Sequence, residues 1–426
     1  MLTGHVTPPR RRTLTPLEQS QLADQVKIWL DQRVVETSPQ IVWVNNPVFV
    51  AKKNGSIRVC IDCRPANAVT DDFDWPLPRL MDLRHYTSGS RWFARMDLKD
   101  AFFRIRIPSQ WRHLTAFESG DKRYQFCRMP FGLKTAPAVF QRFMDHTLHR
   151  FHLFCLWYMD DVLVFSETLE QLRLRLRQVK AALRDAGCTV NEEKSEYEKQ
   201  GLLFAGIWIY SKGVGPNFGK VDSVLKLPTP RTKQEKMSAL GLVSYLRDHI
   251  PLLSMLTKSL SVSTENDASD EEYAKEWRKL TRHIARTIST LGHWDESGDA
   301  DLYTDASLTG AAAVLIQDGR IVALASRQLT GAETRYSATD REHLSLKLAA
   351  EKMRVFLHRP TGVTKVWNDH TALLSRNTAE MTPRQARTFE KVNQWIPNIH
   401  HVKGVNNPAD YLSRWGLDIS GGCFRT

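Results

Sequence analysis

The stretch FCLWYMDDVLVF, residues 154–165, decides how this chain is read. Phe154 to Tyr158 and Val162 to Phe165 are two runs rich in aromatic and β-branched residues, the composition of strands. Between them sits Met159-Asp160-Asp161, so the sequence predicts a hairpin with carboxylates at its tip. Asp is a common turn residue, and a solvated turn is the plain alternative. The setting argues against it: both arms are apolar, so the hairpin packs into a core and its acids emerge at the edge. Two adjacent carboxylates repel each other unless a cation lies between them. A third acid on a neighbouring strand would complete a Mg²⁺ site. Asp97, which ends the run Arg91-Trp92-Phe93-Ala94-Arg95-Met96, is the candidate. A few carboxylates plus substrate phosphates is the usual way to hold Mg²⁺. Two such ions, roughly 3.5–4 Å apart, catalyse in-line phosphoryl transfer.

Downstream of the hairpin, Thr168 to Gln171 reads as a capping box. It opens a helix with apolar residues at Leu169, Leu172, Leu176, Val179 and Leu183, and Gly187 reads as its stop. Upstream, Thr15-Pro16-Leu17-Glu18 reads as another helix start, followed by Leu22, Val26, Trp29 and Leu30 at helical spacing. Val48-Phe49-Val50 and Ile57 to Ile61 read as strands around an Asn54-Gly55 turn. Trp92 to Met96 reads as a further strand, with a helix expected near Lys99 or later. Met237, Leu240, Val243, Leu246 and Ile250 read as the core stripe of another helix. Residues 259–272, SLSVSTENDASDEE, offer little to bury and read as a linker or exposed loop, with helix from Glu272 to about Leu291. From Asp301 the order strand, strand, helix, strand, helix suggests a compact α/β domain.

The length of 426 residues predicts two to four domains, since single cores rarely grow much further than about 250–300 residues. A chain with 42% hydrophobic and 25% charged residues is folded rather than disordered. No apolar run approaches the ~18 residues of a membrane span, so no membrane partner is expected. The start, MLTGHVTPPRRR, lacks the apolar core of a signal peptide, so secretion is not expected. Six cysteines are too few for a disulfide scaffold and fit a reducing compartment. The net charge of +12 points toward a polyanion, nucleic acid first. Residues 299–417 hold 15 basic and 12 acidic side chains, so most of the excess lies in the first three hundred residues.

Tyr158-Met159-Asp160-Asp161 resembles the catalytic box of reverse transcriptases. PVFVAKKNGSIRVCIDCRPANAVT (47–70), ARMDLKDAFFRIRI (94–107), RMPFGLKTAPAVFQRFMD (128–145) and YMDDVLVFS (158–166) resemble, in order and spacing, the polymerases of gypsy-like LTR retrotransposons (Metaviridae). VNEEKSEYEKQGLLFAGIWI (190–209) and LGLVSYLRDHIP (240–251) resemble that family's palm-to-thumb stretch. The resemblance implies an α+β polymerase right hand of fingers, palm and thumb, followed by an α/β ribonuclease H-like domain. The implied boundaries are fingers and palm at 1–200, thumb at 201–258, a connecting segment at 259–298, ribonuclease H at 299–417 and a tail at 418–426.

Asp97, Asp160 and Asp161 take the place of the family's metal-binding triad. Lys53 and Arg58 match its triphosphate-contacting cations, although without the family context a surface hairpin with two solvated cations is the simpler account. Asp100, Ala101 and Phe102 match the sugar side of the nucleotide pocket. Phe102 sits where the family carries a steric gate against the ribose 2′-hydroxyl; ordinary core packing is the alternative. Phe131-Gly132 matches the loop supporting the templating base pair. Two departures weaken a subgroup assignment: Asp62-Cys63-Arg64 stands where Asp-Tyr-Arg is usual, and Asp100-Ala101-Phe102 where Ser-Gly-Tyr is frequent. Cys60 and Cys63 lack a second Cys/His pair at zinc-site spacing and read as buried thiols on a strand.

In the C-terminal region, Asp305, Glu342, Asp369 and Asp410 lie at the ends of different predicted elements. Singly each is an ordinary capping or turn residue. Together, with DASLTGAAAVLIQDG and VNNPADYLSRW, they resemble the Asp-Glu-Asp-Asp set of a gypsy-type ribonuclease H. His400 and His401 precede Asp410 where many ribonucleases H carry a mobile histidine; strand-end packing is the alternative. There is no Asp-Ser/Thr-Gly protease triplet, zinc knuckle, integrase-like His/Cys set or Walker phosphate loop in the sequence.

The resemblance implies an RNA-directed DNA polymerase that also degrades the RNA strand of the hybrid. It implies two Mg²⁺ at each site, with Mn²⁺ as a substitute, and dNTPs, an RNA template, a DNA or tRNA primer and an RNA–DNA hybrid as ligands. Many family members dimerise on the hybrid, which makes a homodimer an expectation here. The expected location is the cytoplasm, in virus-like particles where the element is active. A domesticated, catalytically silent nucleic-acid binder is the alternative; the presence of all seven acids speaks for activity. An RNA polymerase of the same palm fold is disfavoured by Phe102 and by the second domain.

Overall fold

In a computed structural model the described residues are 11–39, 44–51, 55, 57–78, 83–250, 253, 256–258, 260–261, 270–288, 290–357, 361–374, 381–396 and 398–413. The chain divides into two compact units, Met1–Leu80 with Ser90–Ala205, and Met81–Gly89 with Gly206–Thr426. No helix among the described residues is long and apolar enough to cross a membrane.

The first unit opens with helix α1 (Pro16–Asp31), whose capping box is complete: the Thr15 side chain accepts from the Glu18 amide, and Glu18 reaches back to the Thr15 amide. Leu22, Val26 and Trp29 are buried as the spacing predicts, while Leu30 is exposed. Strand β1 (Val35–Thr37) pairs with a later hairpin, and β2 (Pro47–Ala51) pairs antiparallel with β3 (Ile57–Ile61). Asn54, half of the predicted turn, lies outside the described residues. Helix α2 (Arg64–Ala68) follows β3, and the short helix α3 (Leu83–Tyr86) belongs to the second unit.

After strand β4 (Trp92–Lys99), the helix expected near Lys99 or later is a short 3-10 turn, Ala101–Arg104. Asp100 at its head is left-handed, φ 49° and ψ 42°, a start incompatible with a regular helical N-cap. Strands β5 (Phe117–Ser119) and β6 (Lys122–Phe126) complete the small sheet with β1. Helix α4 (Ala136–Leu148) leads to the hairpin of β7 (Cys155–Tyr158) and β8 (Asp161–Ser166). Helix α5 (Leu169–Asp185) starts with Thr168 accepting from the Gln171 amide. It ends as predicted: Gly187 has φ +75°, its amide donates to the Arg184 carbonyl, and the Cys188 amide donates to that of Leu183. This is the paired Schellman closure that favours glycine. Strand β9 (Thr189–Lys199) then completes a four-stranded antiparallel sheet in the order β7-β8-β4-β9.

Alternation along β4 organises this sheet. Ala94 and Met96 share one face with Val162 and Val164 and pack in one core with Phe140 and Met144 of α4 and Leu172, Val179 and Leu183 of α5. Phe93, Arg95 and Asp97 point to the other face, so the acid at the end of β4 is presented away from the helices. Cys60 is half-buried on β3; Cys63 lies beyond the strand and is buried, which pushes its thiol up to about 12. Neither is therefore the buried strand thiol that the sequence suggested: Cys60 is on the strand but only half-buried, and Cys63 is buried but past its end.

Strand β10 (Gly201–Phe204) closes the first unit. In the second, β11 (Ile207–Tyr210), β12 (Gly213–Gly215) and β13 (Leu291–Gly292) pair antiparallel in succession. Helices α6 (Phe218–Leu225), α7 (Lys233–Ser244) and α8 (Asp270–Thr287) bury Val224, Val243, Tyr273, Trp277 and Ile284 in one core, joined by Leu246 just past α7. The expected stripe holds at Leu240, Val243, Leu246 and Ile250 and fails at Met237, which is 64% exposed, whereas Lys236 and Ala239 are buried. The Lys236 stem lies inside and its ammonium sits 4.5 Å from the Tyr273 ring centroid. Much of the expected connecting segment is therefore helix α8, packed by Tyr273, Trp277, Leu280 and Ile284.

The remainder is a five-stranded sheet, β16-β15-β14-β17-β18, built from β14 (Ala300–Ala306), β15 (Gly310–Gln317), β16 (Arg320–Gln328), β17 (Thr364–Asn368) and β18 (Ile399–His401). The first three are antiparallel; β14–β17 and β17–β18 are parallel. Three strands thus precede the first helix, where two were expected. The missed signal is Asp318-Gly319, both left-handed at φ 50° and +71°, the two-residue turn between β15 and β16. Helices α9 (Ala338–Lys352), α10 (Arg354–Leu357) and α11 (Pro383–Asn393) contribute Leu346, Phe356 and Val392 to a core against Leu302 and Leu315. Helix α12 (Pro408–Ser413) covers the other face through Ala409 against Ala312 and Val314.

The loop after β16 is fixed by Arg327, whose guanidinium donates to both Glu333 oxygens at 2.8 and 2.9 Å, while the Thr330 amide donates to the same carboxylate. These bonds hold Glu333 down at about 2, from an ordinary 4.5. Its contribution is complete above 4.5 and is lost as pH falls toward 2. Glu333→Gln is expected to lower stability at neutral pH by about 1–3 kcal/mol. Chemical denaturation across pH should show the wild-type advantage vanishing in acid.

Candidate active sites

The first acid set is built by the β7–β8 hairpin against β4. Tyr158 pairs with Asp161, leaving Met159 and Asp160 as a two-residue turn. Met159 is left-handed at φ 55°, the sign such hairpin turns need at their first central residue. The Asp160 carbonyl accepts from the Leu98 amide at 3.0 Å, which locks the turn onto β4. Asp97 lies directly opposite Asp161 in the ladder, so two like charges face each other on one surface of the sheet. Such pairs are destabilising without a counter-charge. Burial raises the Asp161 carboxyl to about 6; Arg95 opposes the rise, and Asp160 and Asp97 add to it. Asp160 is also raised, chiefly by burial and then by Asp97.

Two cations missed by the sequence reading serve this site. Lys194 of β9 places its ammonium 3.7 Å from Asp97. Arg95 bonds the Leu203 and Lys194 carbonyls at 2.9 and 3.0 Å and the Glu196 carboxylate at 3.1 Å, stapling β9 to β4.

A cavity of about 390 Å³ opens beside the acids, lined by Arg58, Asp97, Asp100, Ala101, Phe131 and Asp160 together with Lys194. The Arg58 guanidinium lies 5.4 Å from the Phe131 ring centroid. Lys53 lies outside the described residues. Phe102 is half-buried, edge-on to Phe131 at 5.1 Å and to Phe140 at 5.6 Å, and it is Phe103 that lines the cavity here. In this structure the ring expected at the sugar edge therefore stands behind Phe131.

The second set lies at one end of the C-terminal sheet. Asp305 near the end of β14, Glu342 in α9 and Asp369 just past β17 bring carboxylate oxygens within 4.8 Å of one another. Among the described residues this is the one such group of three; Asp97, Asp160 and Asp161 do not converge as tightly. Glu342 accepts from the Ala306 amide at 3.2 Å and from Asn368 Nδ2 at 3.0 Å. Burial nevertheless pushes its carboxyl up to about 8, opposed by the Asn368 amide and reinforced by Asp305 and Asp369.

Asp410, in the first turn of α12, is outside the group of three. Its helix is nonetheless pinned beside Asp305. Asn407 donates to the Thr304 carbonyl at 3.0 Å and accepts from the Ala409 amide at 3.1 Å, and Asn368 donates to the same Thr304 carbonyl at 3.1 Å. Sequence reasoning took the acids from WND and NNPAD and passed over these asparagines. His400 and His401 are exposed on β18, with the His400 ring 5.2 Å from that of Trp367, which is the strand-end packing alternative.

The all-oxygen donor set and the uncompensated charge at Glu342 fit a divalent cation. Without one, a carboxyl raised from 4.5 to about 8 makes the fold lose stability as pH rises through that interval. Thermal melting in chelator is expected to fall from pH 5 to 8 for this domain. Added Mg²⁺ should cancel the fall; a melt insensitive to both would count against a metal site.

Residues 50–242 match the family described as "Reverse transcriptase (RNA-dependent DNA polymerase)", and residues 295–395 match "RNase H-like domain found in reverse transcriptase". The chain is 30% identical over 427 residues to the Transposon Tf2-3 polyprotein of Schizosaccharomyces pombe, covering 96% of this chain and 31% of that protein. It is 29% identical to the Retrovirus-related Pol polyprotein from transposon 297 of Drosophila melanogaster, covering 97% of this chain and 40% of the relative. The chain thus spans about a third of the length of the curated relatives it matches. Among solved structures, the foamy viral protease-reverse transcriptase dRH in complex with ds DNA shares the fold at TM-score 0.81 and 20% identity, over 94% of this chain and 72% of that one. The foamy viral protease-reverse transcriptase in complex with RNA/DNA hybrid does so at TM-score 0.77 and 19% identity, over 100% and 58%.

Proposed function

Because this chain belongs to the reverse transcriptase–ribonuclease H family of gypsy-like LTR retrotransposons, we propose that it copies RNA into DNA and degrades the RNA strand of the hybrid. The observation that carries this reading is the occurrence of two separate carboxylate sets, one beside a cleft with cations and one at the end of a five-stranded sheet. Each falls within or next to the stretch whose family calls for it.

In this proposal Asp97, Asp160 and Asp161 hold the cations of the polymerase site, and Asp305, Glu342, Asp369 and Asp410 those of the nuclease site. Two Mg²⁺ at each site, replaceable by Mn²⁺, would lower the pKa of the attacking oxygen and neutralise the leaving group. The chain supplies the rest. Lys53 and Arg58 bind the triphosphate, with Arg58 braced on Phe131. Asp100 and Ala101 shape the sugar side. Lys194 balances Asp97. Phe102 stands edge-on to Phe131, and in this reading it gates the sugar from beside that ring. Residues 1–200 act as fingers and palm, 201–258 as thumb and 299–417 as nuclease.

The test is a Mg²⁺-dependent extension assay on an RNA template annealed to a DNA primer, with release of the RNA strand followed in parallel. Folded protein inert in both would favour a silent nucleic-acid-binding descendant. Phe102→Val is expected to admit ribonucleotides, raising NTP over dNTP use by about tenfold or more, as loss of a steric rejection allows. Unchanged discrimination would place the gate elsewhere, Phe103 first.

A further inference from the structure

We propose that Gln141 and Asp145 of α4 are positioning residues that hold the Met159-Asp160 turn in its working shape and tie it to Trp75 in the loop after α2. This rests on the polymerase reading above and adds a connection that the acid set itself does not require.

The connection is a chain of bonds inside the first unit. The Met159 amide donates to Gln141 Oε1 at 3.0 Å. Gln141 is fully buried, and its Nε2 donates to Asp145 Oδ1 at 3.0 Å. The same Asp145 oxygen accepts from the Trp157 indole at 2.6 Å, and the other oxygen accepts from the Trp75 indole. One carboxylate thus gathers a helix side chain, the strand that carries Tyr158 and a surface loop. Trp75 is in turn covered by the Arg142 guanidinium, 5.4 Å from its ring centroid.

The chemistry explains why these residue types stand here. A left-handed non-glycine residue is costly and persists only when its surroundings over-determine it. Met159 is such a residue, one position before Asp160. A buried amide side chain can accept from the turn and donate to a carboxylate at once, which neither a carboxylate nor a hydrocarbon of similar size can do. Asp145 with two indole donors and one amide donor is a charge-assisted network in which each bond strengthens the others. Removing one donor at Trp75 therefore loosens the grip on Gln141 and, through it, on the turn. A displacement of about 1 Å at a catalytic group can cost a hundredfold in rate, so modest loosening is measurable.

The experiment uses the whole chain with Gln141→Met, which keeps the volume but removes the acceptor, and with Trp75→Phe, which removes one indole donor far from the acids. The single-turnover rate of nucleotide addition is expected to fall about tenfold or more in Gln141→Met and about threefold in Trp75→Phe. Apparent nucleotide affinity should change less than about twofold, since the cavity lining is untouched. RNA-strand cleavage, an internal control for folding, should stay unchanged. The double variant should resemble Gln141→Met alone, because coupled residues are not additive. Effects that multiply independently, or a wild-type rate in Gln141→Met, would overturn the proposal. If Gln141→Met loses both activities by unfolding, Trp75→Phe decides by the same criteria. Amide hydrogen exchange at Met159, read without substrate, should rise in Trp75→Phe. Unchanged exchange overturns the relay whether or not the chain polymerises, whereas wild-type protein that exchanges as expected but never extends a primer overturns only the polymerase reading.

Discussion

Asp160→Asn is expected to abolish primer extension, by roughly a thousandfold or more, and to leave cleavage of the RNA strand at the wild-type rate. The substitution keeps shape and removes charge. In the proposed site the lost charge is one of those that would hold the cations, and an amide is a poor ligand for Mg²⁺ beside an anionic substrate. The fold should not suffer. Asp160 is buried enough to have its carboxyl raised, with Asp97 adding to the rise, so the ionised side chain is a load on the native state at neutral pH. Replacing it with a neutral amide is expected to raise the melting temperature in chelator. A dead, stabilised polymerase with an intact nuclease is therefore the outcome to look for in paired assays. Loss of both activities in folded protein would sink the two-site reading, and extension at the wild-type rate would remove Asp160 from the site.

Asp305→Asn should do the converse: RNA-strand cleavage falls by a similar factor, and primer extension persists. Asp305 lies in the group of three whose oxygens approach within 4.8 Å, and it adds to the upward push on Glu342. Removing its charge should bring Glu342 down from about 8 toward its ordinary range. The fall in metal-free melting temperature between pH 5 and 8 should accordingly shrink. Activity and melting thus report on the same contact by separate routes. Cleavage lost with an unchanged melting profile would mean that the carboxylates do not face each other as described.

What the sequence made legible was local. A two-residue turn between β-rich arms needs no distant partner, so the hairpin and its acids could be placed from twelve residues. The Thr15 and Thr168 helix starts and the Gly187 stop were equally local, since capping groups lie within one turn of each other. What escaped depends on register. Lys194 meets Asp97, and the β9 groups that hold Arg95 reach it, because β9 pairs with β4 through two irregularities, between Phe93 and Arg95 and between Arg95 and Asp97. No periodicity in the charge-rich run EEKSEYEK announces that pairing. Met237 was misplaced because a pattern treats lysine as polar throughout, whereas Lys236 buries its stem and meets a tyrosine ring. The choice between Phe102 and Phe103 turned on one left-handed residue, Asp100, which rotates the following turn. Asn368 and Asn407 were invisible for a related reason: both converge on a single carbonyl, Thr304, that only the parallel and helical packing brings to them.

The facing pair Asp97 and Asp161 also bears on the history of such chains. Two like charges opposed across a ladder are a standing cost to the fold, borne at Asp161, whose carboxyl burial raises, so neutralising that acid is a stabilising mutation. In a copy released from copying its own RNA, drift and the advantage of a sturdier protein would act in the same direction, and these positions would be erased early. The pair works as a ratchet biased toward silence. A lineage that still carries both aspartates has been held back from that slide, and sequenced sibling copies would record it as acids kept in spite of their cost.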